Sequence, residues 1–227
     1  MKTSSFIVAF IMLQTGNAVD LGRCERFALH AHAGVAASGD KTLVYGDIGG
    51  DNAITGFGPP PLPSVADAQL YDYYPITPES NVCAYDKGIA YGQAKAATCT
   101  DLLAYTDLSG VTLSPGVYCN SAGYFELTSG KLYLDGNNDT DSVFIFQTAA
   151  HIHTSIGTEV VMLNDTQPAN VFWVAGSSIN LSGYSTFRGN LLAYSSVTMG
   201  TGTVLEGRAL ASTASITLAG SNTIVTP

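Results

Sequence analysis

Two neighbouring stretches near the C-terminus, FRGNLLAYSSVTMGTG and VLEGRALASTASITLAGSNTI, overlay on one another. Gly189 falls on Gly207, Leu192 on Leu210 and Ala193 on Ala211 at a shift of 18, and Val197, Thr198 and Met199 fall on Ile216, Thr217 and Leu218 at 19. A period this short, carrying about three strand-length runs, is too small for a propeller blade and too rich in strand formers for a helical repeat. It fits one turn of a β-solenoid. In such a fold each turn buries an inward row of side chains against the turns above and below, about 4.7 to 4.9 Å away. Phe187 and Leu205 are expected to point inward, with Gly189 and Gly207 at tight corners.

Upstream, from about Lys131, the runs KLYLD, SVFIFQ, EVVMLN, NVFWVA, NLLAY and SITLAG are separated by Gly, Asn, Asp and Ser clusters. Some alternate and others are apolar throughout, which suits strands packed on more than one side. The segment from about 64 to 105 differs. Ala84, Gly88, Tyr91 or Gly92, and Lys95 lie three or four residues apart in an Ala-rich stretch, which predicts a helix lying along the solenoid and hiding one face. The run GFGPPPLP before it is a stiff, extended connector.

Residues 1–18 read as a secretory signal peptide: Lys2, an apolar run from Phe6 to Leu13, then Gly16-Asn17-Ala18. The expected mature chain is therefore a single domain over 19–227, secreted and extracellular, with no membrane anchor. Charged residues make up 12% of the chain, with 18 acids against 9 bases, which argues against a nucleic-acid partner. Four cysteines, Cys24, Cys83, Cys99 and Cys119, favour two disulfides in an exported protein, with three pairings open. Three sequons begin at Asn138, Asn164 and Asn180.

Signals for catalysis are weak. G-x-S-x-G is absent, Asp139 and Asp141 lie in the turn-like GNNDTD, and Glu159, Glu206, Arg188 and Arg208 are isolated in the sequence. His30-Ala31-His32 and His151-Ile152-His153 could each seat two metal ligands, but they read more simply as polar positions on strand surfaces. The chain is read as non-enzymatic, without metal or other cofactor.

The stretch CTDLLAYTDLSGVTLSPGVYC, followed by LYLDGNNDTDSVFIFQ, NVFWVAGSS, FRGNLLAYSSVTM and EGRALASTASITL, resembles the ice-binding proteins of cold-adapted microbes. The phrase YGDIGGDNAITGFGPP resembles the family's opening, so the similarity runs from about Cys24 to the C-terminus. The resemblance implies a mainly β fold, an irregular right-handed β-solenoid of triangular cross-section. One long α-helix packs alongside, and the N-terminal and C-terminal parts stack out of sequence order. It also implies that Cys99 pairs with Cys119, and Cys24 with Cys83.

The partner it implies is an ice crystal surface, contacted by a monomer through one flat face that slows growth and recrystallisation. Thr suits such a face, because its methyl fills hollows, its hydroxyl donates and accepts, and its branched side chain has few rotamers to lose. The residues that the resemblance places on that face are Thr42, Thr154, Ser155, Thr158, Tyr184, Thr186, Thr201, Thr203, Ser221 and Thr223. The alternative is a secreted carbohydrate-binding or adhesive β-solenoid module. Tyr184, Tyr124 and Trp173 would then stack on sugar rings, although Trp173 sits among apolar neighbours.

Overall fold

A computed structural model of the chain describes residues 19–39, 41–57, the backbone of 73–75, and 78–227. The leader over 1–18, the proline-rich connector from 58 onward and the start of the insertion lie outside the described residues. All strand pairings between the named strands are parallel, and the strands stack into three ladders, one per side of each turn. The cross-section is thus three-sided, as expected.

The first ladder carries 101–103, Gly116–Asn120, Phe144–Thr148, Val171–Ala175, the second halves of Thr186–Ala193 and Val204–Ala211, then Phe27–Ala31, Asp47–Gly50 and 73–75. The second runs through Phe125–Leu127, Ile152–Thr154, Ile179–Leu181, Val197–Met199, Ile216–Leu218, Val35–Ala37 and Ile54–Thr55. The third runs through Thr112–Leu113, Lys131–Asp135, Glu159–Leu163, the first halves of 186–193 and 204–211, Thr223–Val225 and Leu43–Tyr45. The N-terminal turns therefore sit beyond the C-terminal ones: Leu29 pairs with Ala209, Val35 with Ile216 and Leu43 with Thr223.

The interior is a column of large side chains. Trp173 stacks on Phe146 with ring centroids 4.0 Å apart and lies 4.7 Å from Phe187, and all three are fully buried. The indole N–H donates to the Arg188 carbonyl at 2.9 Å, so the aromatic core leaves no buried donor there unpaired. Phe187 and Leu205 point inward in register, as the repeat predicts.

Gly189 and Gly207 stand where one continuous strand crosses from the third ladder to the first. A Cβ on Gly207 would meet the Gly189 carbonyl oxygen at 1.9 Å. Gly207→Ala is expected to lower stability by about 2 to 3 kcal/mol in denaturant unfolding, because the clash is with backbone rather than a movable side chain.

The helix, Pro78–Ala96, lies along the first ladder. Its buried residues are Ser80, Cys83, Lys87, Ala90 and Ala94, a stripe offset by one position from the spaced series Ala84, Gly88, Tyr91 and Lys95 that marked the helix in the sequence. Gly88 and Gly92 face open space. The stripe was hidden from an apolar pattern because two of its members are polar. Cys83, Ala90 and Ala94 pack on Ile145, Phe172, Val174, Leu192 and Leu210, the outward residues of the first ladder. This explains why those strands are apolar throughout. Gln147 donates to the Ala94 and Ala97 carbonyls at 2.7 Å each and pins the helix C-terminus.

Both disulfides implied by the resemblance are present, Cys24–Cys83 and Cys99–Cys119. The first ties the short 3-10 turn Gly22–Arg26 to the helix.

His30 is not a surface position: it is fully buried beneath the helix. Lys87 Nζ donates to the Ala211 carbonyl at 2.7 Å and lies 3.0 Å from His30 Nδ1, while His30 Nε2 is 3.0 Å from the Ser80 carbonyl. This network assigns a neutral imidazole that accepts at Nδ1 and donates at Nε2. Burial, and then the Lys87 ammonium, lower its pKa from 6.5 to about 4, against an opposing pull from Asp51. The unfolded chain therefore binds a proton before the folded one does, and stability is lost as pH falls from 6.5 to 4. The expected loss is about 3 kcal/mol. Urea unfolding at pH 7 and pH 4 checks it, and His30→Gln should flatten the slope.

Candidate functional surface

The three sides of the solenoid differ in what they offer. The first is covered by the helix. The third carries an ion-pair ladder: Lys131 reaches Glu159 at 2.9 Å, Arg188 lies 3.4 Å from Glu159, and Arg188 reaches Glu206 at 3.1 Å. Glu159, Arg188 and Glu206, isolated in the sequence, are thus neighbours in space. Lys131 and Arg188 hold the Glu159 carboxyl below its usual range, so it stays ionised and paired. Arg208 is buried elsewhere, donating to the Glu25 carbonyl and to Asn190.

The second side is different. Each three-residue strand turns its first and last residues inward and its middle residue out. Register aligns those middle residues into one row: Glu126, His153, Asn180, Thr198, Thr217, Ala36 and Thr55. From Asn180 to Thr55 it holds no ionisable group. Beside it runs a parallel row, Ser178, Ser196 and Ser215, linked by backbone bonds from Ile179 to Ser196 and from Val197 to Ser215. Ser178 and Ser196 hydroxyls lie 2.9 Å apart. Parallel pairing fixes one repeat of this array and the pleat fixes the other, at roughly 4.8 Å and 6.6 Å.

The residues named from the sequence divide into groups. Thr154, Thr158 and Thr203 are buried and cannot reach an external surface, which corrects their assignment. Thr154 Oγ1 accepts from the Ser182 N–H at 3.0 Å, Thr158 donates to the Ser155 carbonyl at 3.0 Å, and Thr203 donates to the Gly200 carbonyl at 2.9 Å. Ser185 donates in the same way to the Ser182 carbonyl. These hydroxyls satisfy backbone carbonyls, and at Thr154 a backbone N–H, at the corner between the second and third sides, so the corner's Ser/Thr richness is in part internal.

Ser155, Tyr184, Thr201 and Ser221 lie outward on the turns of that same corner, and Tyr184 is 69% exposed. Thr186 and Thr223 lie on the third side, with Thr186 beside Glu159. Thr42 is half-buried before Leu43–Tyr45. Sequence reasoning missed Asn180, Thr198, Thr217 and the serine row. The signal was available, since Thr198 and Thr217 overlay in the repeat.

His32 is exposed and contacts Asp51 at 2.7 Å, and His151 and His153 are exposed on the second side. Among the described residues no group of three or more His, Cys, Asp or Glu side chains stands together as a metal site. Trp173 is buried and Tyr124 stacks on His151 at 5.1 Å, so Trp173, Tyr124 and Tyr184 form no common sugar platform.

A helix-clasped parallel β-solenoid with one open, periodic side, free of ionisable groups in its outward row from Asn180 to Thr55, is built to meet a flat surface rather than to enclose a small molecule. The Ice-binding-like family profile matches residues 29–225, and the chain belongs to that family. It is 30% identical over 93% of its length to an ice-binding protein from Nostoc sp. (strain HG1), spanning 77% of that relative. It is 31% identical over 86% of its length to an ice-binding protein from Flammulina populicola, spanning 83% of that one. The crystal structure of an ice-binding protein from the Antarctic ascomycete Antarctomyces psychrotrophicus is similar over 91% of this chain and 97% of its own, with a TM-score of 0.81 at 32% identity.

Proposed function

We propose that the chain adsorbs to ice through the second side of the solenoid, with Asn180, Thr198, Thr217, Ala36 and Thr55 as the central row. The observation that carries this is the contrast among the three sides: one covered by the helix, one holding bound charges, and one that is open, held in register and free of ionisable groups along its central row from Asn180 to Thr55. Ice presents a repeating plane of water oxygens. A surface that holds hydration water tightly around ions cannot merge with it, whereas methyl and hydroxyl groups at fixed spacing can order water into the same plane. Adsorbed molecules pin the growth front between them, which slows growth and recrystallisation without any covalent step.

The leader-like sequence over 1–18 supports action outside the cell, on ice near its surface. The test is partition of the purified, oxidised chain into slowly grown ice. Enrichment in the ice over a control protein of similar size and charge supports adsorption, and exclusion into the remaining liquid overturns it.

A further inference from the structure

The three sequons occupy different places in the fold. Asn138 and Asn164 stand in exposed turns on the corner between the third and first sides, at φ +60° and +46°. Asn164 already donates to Asp135 at 2.9 Å, and Thr166 of that sequon is buried, donating to the Leu163 carbonyl at 2.7 Å. Asn180 stands in the middle of the second side, between His153 and Thr198, with its side chain outward and half-buried. Among the described residues no hydrogen bond engages its amide.

We infer that Asn180, in Asn180-Leu181-Ser182, is an N-glycan acceptor whose modification switches off ice adsorption while leaving the fold intact, and that glycans at Asn138 and Asn164 leave adsorption untouched. The inference rests on the ice-adsorbing side assigned above. In the transfer the Asn180 amide nitrogen attacks the anomeric carbon of an oligosaccharide carried on a polyprenyl diphosphate. The C–N bond forms as the C–O bond to the diphosphate breaks, the lipid diphosphate leaves with the electron pair, and the amide gives up one proton to the transferase.

Because the side chain points out of the solenoid, the sugar meets water rather than core, so folding proceeds around it. A hydrogen bond to an ice-like plane requires approach to about 2.7 to 3.2 Å. A sugar ring rooted in the central row is thicker than that gap and holds Thr198 and its neighbours away from the plane.

The test secretes the full chain from a yeast that carries the transferase and produces it, oxidised, in a bacterial host that lacks it. Glycan occupancy is mapped by peptide mass, folding by thermal unfolding, and function by ice recrystallisation. The expected result is occupancy at Asn180, an unfolding temperature no lower than that of the bare chain, and loss of recrystallisation inhibition only in the glycosylated form. Ser182→Ala, which removes the Asn180 sequon alone, should then give equal inhibition from both hosts even with Asn138 and Asn164 occupied. An unmodified Asn180, or an occupied Asn180 with undiminished inhibition, overturns the inference. A bare, folded chain without inhibition overturns instead the ice-adsorbing reading on which it stands.

Discussion

Thr198→Tyr and Thr217→Tyr are each expected to abolish most of the chain's inhibition of ice recrystallisation without lowering its unfolding temperature. Both threonines are exposed, and they pair with one another in the register of the second side. A tyrosine ring at either position projects into solvent, so no core contact is lost. Instead it stands above the neighbouring row and prevents the plane from meeting ice. Every 1.4 kcal/mol of lost adsorption is about tenfold in affinity. Blocking a row engages several contacts at once, so the concentration needed for inhibition should rise by at least about tenfold.

Two comparisons give this result its meaning. Thr186→Tyr lies on the ion-paired side, next to Glu159, and is expected to retain inhibition. Thr203→Tyr replaces a buried hydroxyl that caps the Gly200 carbonyl, so it should damage the fold before it can report on ice. Retained activity in Thr198→Tyr and Thr217→Tyr together with loss in Thr186→Tyr would move the adsorbing surface to the third side.

Removal of the Cys24–Cys83 disulfide by paired alanine substitution is expected to cost about 4 kcal/mol, against about 3 kcal/mol for Cys99–Cys119. The difference follows from loop length, 59 residues against 20, because the longer loop takes more freedom from the unfolded chain. The first bridge also has a structural consequence. It joins Gly22–Arg26 to the helix that covers Ile145, Phe172, Val174, Leu192 and Leu210. When it is lost, the helix is held chiefly by its small buried stripe and by the contacts of Lys87, Lys95 and Gln147. Denaturant unfolding of the two double variants measures both costs. A larger loss for the shorter loop would show that native contacts, not loop closure, set the order.

Much of the solenoid was legible because it is periodic. The 18- to 19-residue repeat marks Gly189 and Gly207 as corners and Phe187 and Leu205 as interior, and the structure bears out each of them. The helix was legible as a helix, but its buried stripe was not. Ser80 and Lys87 are polar residues turned inward, and what permits that is a network with His30 and the Ala211 carbonyl, brought together from three distant parts of the chain. The disulfide pairing followed from family resemblance, not from cysteine spacing.

The candidate surface was read less well, for a physical reason. Thr is used in two ways along the same corner: buried at 158 and 203, donating to the Ser155 and Gly200 carbonyls, and exposed at 201, where the hydroxyl donates to the Ala219 carbonyl at 3.1 Å while the side chain meets water. Residue type does not separate these uses, and tight turns break the strict alternation that would.

By itself the sequence determined the repeat, the stacking of short strands, the inward row and the presence of a helix, because these depend on local spacing and side-chain type. Only the tertiary structure decided which side is open. That choice depends on where the helix docks, on where charges from different turns meet as Lys131–Glu159 and Arg188–Glu206, and on Val35 pairing with Ile216 across almost the whole chain. Those are contacts between segments far apart in sequence, and no local pattern encodes which of three similar faces they leave bare.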